Sequence, residues 1–195
     1  MLLDRRTFLV KERVAVLKLT DVYDIFDPES SQQIGLAKDE PTPLLKYLRL
    51  VVKKGLLPTV VNVYEREGSP PVLTLRKGPG FFRIRVEVTS GGQSLGHFRS
   101  KAFSLGGGFY VFDPTGDQVA EVKGDWKGWN FRFLDRMGQE LGLVTKKWAG
   151  IGKELFTTAD TYVIAIDERA AANRQTASLL LAAGLAIDVV FKEKS

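Results

Sequence analysis

Apolar residues alternate with polar ones through most of the chain, and the alternation comes in units of one form. Each unit runs apolar, spacer, apolar, spacer, Asp, then a turn, then an aliphatic residue that starts the next run. Tyr23, Ile25 and Asp27 lead to Ile34-Gly35; Phe109, Val111 and Asp113 lead to Val119-Ala120; Phe131, Phe133 and Asp135 lead to Leu141-Gly142. Looser copies join Val61 and Val63 to Leu73 and Leu75, and Ile84, Val86 and Val88 to Leu95-Gly96. A period of two puts alternate side chains on one face of a strand. Asp-Pro-Thr-Gly at 113–116 and Thr-Ser-Gly-Gly at 89–92 supply turn residues, so each unit predicts a β-hairpin. The Asp residues read as turn formers, not ligands. Five or so successive hairpins predict ten or more antiparallel strands, which avoid open edges by closing into a barrel or stacking as a sandwich.

Two segments break the strand rhythm. Over residues 43–55, helical spacing collects Leu44, Leu48 and Val51, with Tyr47 and Val52 beside them, on one face and Lys46, Arg49 and Lys53 on another. This predicts a short amphipathic basic helix with Gly55 as its C-cap. The second segment, residues 177–191, is apolar on every side, and Asp167 or Asn173 could cap the helix that contains it. At 1.5 Å per residue it spans roughly 22 Å, short of the about 30 Å of a bilayer core. It also contains Ser178, Gly184 and Asp188, which are costly in lipid. Burial of Leu179, Leu180, Leu181, Leu185 and Ile187 inside the protein is the better solution, each worth about 1.5–3 kcal/mol gross. A many-stranded barrel needs an interior filling, and this helix is the candidate.

The fold class expected is therefore mainly β with α: a closed antiparallel barrel around a central hydrophobic C-terminal helix, with the basic helix outside it. At 195 residues a single domain over the whole length is expected. The chain has no Cys, which excludes disulfides, zinc–thiolate sites and a thiol nucleophile and agrees with a reducing, cytoplasmic setting. Behind Met1 no apolar secretion signal follows. The net charge of +5, from 28 basic and 23 acidic residues, is a mild excess whose placement matters more than its size. Lys46, Arg49, Lys53 and Lys54 fall in the stretch 41–61, which contains no acid.

The order Lys146-Lys147-Trp148-Ala149-Gly150, then Lys153-Glu154-Leu155-Phe156-Thr157-Thr158-Ala159-Asp160-Thr161-Tyr162, then the terminal segment ending Ala186-Ile187-Asp188-Val189-Val190-Phe191, resembles the phospholipid scramblase and LURP-one-related proteins of the tubby C-terminal-like superfamily. The repeated hairpins extend the resemblance over most of the chain. It implies a barrel of about twelve strands wrapped around a hydrophobic C-terminal helix. Tubby relatives bind phosphoinositide head groups, scramblases are associated with calcium-dependent movement of lipid between leaflets, and LURP-one relatives are linked to plant defence. Fold transfers better than function. At the positions matching the acidic calcium segment of scramblases stand Thr158, Asp160, Tyr162, Ile164 and Ile166, so Asp160 is the single carboxylate, too little for a calcium site of 6–8 oxygen ligands.

Other chemistry is weakly signalled. Gly92-Gln93-Ser94-Leu95-Gly96 matches a nucleophile elbow but lies between predicted strands, and the one histidine, His97, is poorly placed as its base. No second His or Cys exists to share a metal with His97. Trp129, Phe131 and Phe133 read as one face of a core strand rather than a base-stacking platform. The expectation is a non-enzymatic, cofactor-free protein that binds anionic phospholipid peripherally or acts as a lipid-responsive adaptor. Its head-group residues would be Lys46, Arg49, Lys53 and Lys54, with Lys146, Lys147 and Trp148 as a second patch. The alternatives are a scramblase and a soluble module that binds a protein partner; nucleic acid is disfavoured.

Overall fold

The computed structural model describes residues 1–13, 20–80, 84–101, 108–125, 128–147 and 161–188. Within them twelve antiparallel strands form a closed barrel. In chain order these are β1 (Thr7–Glu12), β2 (Val22–Phe26), β3 (Gln33–Asp39), β4 (Thr59–Tyr64), β5 (Leu73–Lys77), β6 (Arg85–Ser90), β7 (Gln93–Ser100), β8 (Gly108–Phe112), β9 (Gln118–Asp125), β10 (Asn130–Leu134), β11 (Glu140–Thr145) and β12 (Thr161–Ile166). Each strand pairs with its neighbours in sequence, and β1 closes the ring on β12 with Phe8 opposite Ile164 and Val10 opposite Tyr162. Closure leaves no free edge.

The repeated sequence unit is a hairpin with a bulge. The Oδ1 atoms of Asp27, Asp113 and Asp135 accept backbone N–H bonds from Glu29, from Thr115 and Asp117, and from Met137 and Gln139. These bonds are why the Asp sits at the turn. After each turn the register slips by one residue: Ile25 faces Gly35 while Phe26 faces Gln33, Val111 faces Ala120 while Phe112 faces Gln118, and Phe133 faces Gly142 while Leu134 faces Glu140. The skipped residues are Ile34, Val119 and Leu141, and Leu95 is skipped in the same way between β6 and β7. All four are partly buried against the core. A bulge thus redirects one extra aliphatic side chain inward at the same end of the barrel. At Gly96, where φ is +143°, a Cβ would stand 2.0 Å from the carbonyl oxygen of Phe112, so the bulge there needs glycine.

Because consecutive strands alternate in direction, the Asp turns lie at one end, the turn end, and the connections after odd-numbered strands at the other, the loop end. From β12 the chain makes a single helical turn, α2 (Glu168–Ala171), capped by Asp167, and then α3 (Arg174–Ala186), capped by Asn173 accepting from the Thr176 N–H. Both candidate caps are used. Every residue of α3 from Ala177 to Ala186 is buried, as is Ile187, and the helix fills the barrel among Phe98, Phe109, Phe131 and Phe133. A Cβ on Gly184 would approach Ile164 to 2.6 Å, so this glycine lets helix and β12 meet. The hydroxyl of Ser178 is satisfied inside the helix by donating to the Arg174 carbonyl at 2.8 Å.

The outer helix departs from expectation. α1 spans Pro43–Leu48, not 43–55; Arg49 is its C-cap, and a separate 3-10 turn covers Lys54–Leu56. Trp129 also lies outside strand β10, in the preceding turn with φ of +46°, though it still packs on Phe131 and Tyr162.

Candidate functional site

The connection from β3 to β4 leaves the loop end as a protrusion that is fastened at several points. Thr42 caps α1 by accepting the Leu45 N–H. Arg49 then turns inward and forms a two-point ion pair with Asp39, Nη1 to Oδ2 at 2.6 Å and Nη2 to Oδ1 at 3.1 Å, with side chains 2% and 0% exposed. Lys54 pairs with Asp21 and lies 3.5 Å from Asp39. At the far side the buried Lys77 donates from Nζ to the carbonyls of Gly55 and Leu57, at 2.7 and 2.8 Å. A six-residue helix has little stability of its own, so these anchors hold its conformation.

With the cations Arg49 and Lys54 drawn in, the apolar side chains are turned out. Leu44, Tyr47, Leu50 and Val51 are 69%, 73%, 65% and 82% exposed. Of the apolar face that helical spacing collects, Leu48 and Val52 are half-buried, while Leu44, Tyr47 and Val51 stand outside because the buried Asp39 and the half-buried Asp21 draw Arg49 and Lys54 inward. Lys46 and Lys53 are exposed among the apolar side chains. Of the four basic candidates in this stretch, two therefore hold the protrusion and two face solvent. Asp21 and Asp39 match Arg49 and Lys54 in charge, and the nearby Glu40 accepts from Asn62 and Tyr64 on the barrel wall. Lys46 and Lys53 remain as the outward cations, with the exposed carboxylate of Glu40 at the base of the protrusion.

Lys146 and Lys147 follow β11 and so belong to the same barrel end. Lys146 Nζ lies 4.8 Å from the centre of the Trp129 ring, a cation–π contact. Lys147 lines an open groove of about 660 Å³ with Lys123 and Arg132, which Asp125 and Glu140 also line. Cations and carboxylates are mixed there, and Arg132 pairs with Glu140 at 3.6 Å. Trp148 and Asp160 lie outside the described residues. Of the other positions matching the calcium segment, Tyr162, Ile164 and Ile166 are buried core residues. Among the described residues no group of three or more His, Asp or Glu side chains could hold a metal ion.

Ser94 lies in β7 opposite Thr89, with no helix after it, and His97 is stacked on Phe112 at 4.8 Å. Burial, with the nearby cations Arg85 and Arg99, lowers the His97 pKa against the pull of Glu87. Neither residue has the setting of an elbow nucleophile or its base. Burial also pushes the Tyr23 and Tyr162 hydroxyls well above their ordinary range, and the Asp188 carboxylate adds to the shift, so both stay neutral core groups.

Fold and site together define a β-barrel plugged by its own C-terminal helix, with acidic turns at one end and a basic, apolar protrusion at the other. The Scramblase family model matches residues 79–194, more than half of the chain, and the chain belongs to that family. The match takes in β6 to β12 with α2 and α3; β1 to β5 complete the same ring, and the protrusion lies outside the matched residues. No curated protein and no solved structure matches the chain. Among the described residues no helix is long and apolar enough to cross a membrane.

Proposed function

We propose that this protein is a non-enzymatic, lipid-binding barrel that docks its loop end peripherally on membranes rich in anionic phospholipid. The observation that carries the reading is the protrusion at 41–61, which has no acidic residue and whose unneutralised cations, Lys46 and Lys53, face outward. The opposite end carries the carboxylates of Asp27, Glu29, Asp113, Asp117 and Asp135 in its turns, of which Asp27 and Asp117 pair with Arg5 and Arg136. A negatively charged surface favours contact with the first end over the second. Membership of the scramblase family agrees with a lipid-related role.

Each lysine near an anionic surface is worth about 1 kcal/mol, so neutralising two weakens binding about thirtyfold and reversing them weakens it further. The test is flotation with vesicles of phosphatidylcholine and phosphatidylserine in equal parts, against phosphatidylcholine alone. The Lys46→Glu, Lys53→Glu variant should stay in solution where the parent protein floats. Equal flotation of the two proteins rules the docking mode out. Arg49 and Lys54 are left untouched because their loss would disturb the fold.

A further inference from the structure

Charge explains attraction to a surface but not why four large apolar side chains stand in water around the two lysines. We infer that the protrusion is a membrane wedge: Leu44, Tyr47, Leu50 and Val51 enter the acyl boundary while Lys46 and Lys53 stay at the level of the phosphates. This deepens the lipid reading and rests on it.

Three features of the segment converge on the inference. Leu44 and Tyr47 come from α1 and Leu50 and Val51 from the turn directly after it, so the exposed apolar side chains form one contiguous projection. That projection is fixed before any ligand arrives, because Arg49, Lys54 and Lys77 tie it to Asp39, Asp21 and the carbonyls of Gly55 and Leu57. A pre-set wedge loses little conformational entropy on insertion. The polar groups among the apolar ones are lysines, whose long stems let the ammonium reach the head groups while the neighbouring side chains sink. A second copy of the chain is the poorer occupant, since facing protrusions would bring like charges together. The four side chains also fall short of the roughly 800 Å² per partner that a stable dimer buries.

The absence of Cys makes the test clean, because a Val51→Cys variant takes an environment-sensitive fluorophore at one site. Met137, 83% exposed in the turn after β10, supplies the control position at the opposite end as Met137→Cys. On the phosphatidylserine-containing vesicles, the label at 51 should shift to the blue and the label at 137 should not. Adding Leu44→Ser and Leu50→Ser should weaken flotation about tenfold or more without any change of charge. Flotation with an unshifted label at 51 overturns the wedge and leaves the lipid reading standing. Failure of the parent protein to float on these vesicles overturns both. A blue-shifted label without lipid, together with a dimeric mass in sedimentation, assigns the patch to a second copy and overturns the wedge.

Discussion

The molecule has two apolar helical segments, and they are built in opposite senses. In α3 the backbone polarity is closed inside the helix and ten successive residues disappear into the barrel. In α1 and the turns after it, the cations Arg49 and Lys54 are drawn in while Leu44, Tyr47, Leu50 and Val51 remain outside. Hydrophobic content is similar; what differs is where a buried carboxylate waits. Around Leu179 to Ala186 the barrel interior is lined by apolar side chains, so an apolar stretch of helix fits there. Beside β3, Asp39 is buried, and an ionised carboxylate in that position demands a cation. Arg49 answers it and drags the apolar face outward. Burial follows the costliest group to leave unpaired, not the greasiest sequence.

The largest way to break this contrast is to put a charge where none is tolerated. Leu180→Asp places a carboxylate in the plug, at a cost of several kcal/mol against a total stability of roughly 5–15 kcal/mol. Loss of the cooperative unfolding transition in urea is the expected result. Next in size is Asp39→Ala, which removes the two-point partner of Arg49 and should destabilise the fold by about 3–5 kcal/mol. Urea denaturation measures it, and a shift below about 1 kcal/mol would mean that the pair does not set the geometry of the protrusion. Smallest is Leu44→Ser, which alters an exposed side chain and should move stability by no more than about 0.5 kcal/mol. A thermal melt of this variant beside the Leu180→Asp protein sharpens the comparison between the two segments.

The sequence carried the barrel because the signals for it are local. Period-two alternation marks each hairpin, three of them ending on Asp, and the aliphatic residue before Gly35, Gly96 or Gly142 turns out to be the bulged one. The plug was legible because no surface helix tolerates apolar residues all round. The protrusion was misread because its decisive partners are remote. Asp39 is ten residues from Arg49, Asp21 is 33 from Lys54, and Lys77 reaches Gly55 from 22 residues away. Helical periodicity sees none of these, and it assigns cations to water by default. One clue was available: an acid-free run preceded by Asp21 and Asp39, each at a strand end, invites pairing with them.

Amide hydrogen exchange across α3, in plain buffer without detergent or lipid, tests the central claim most directly. If the barrel's own strands sheathe the helix, the amides from Leu179 to Ala186 exchange among the slowest in the molecule, at a rate set by global unfolding. Rapid exchange there, slowed only when bilayer or detergent is added, would mean that the hydrophobic rod belongs to the membrane and not to the core.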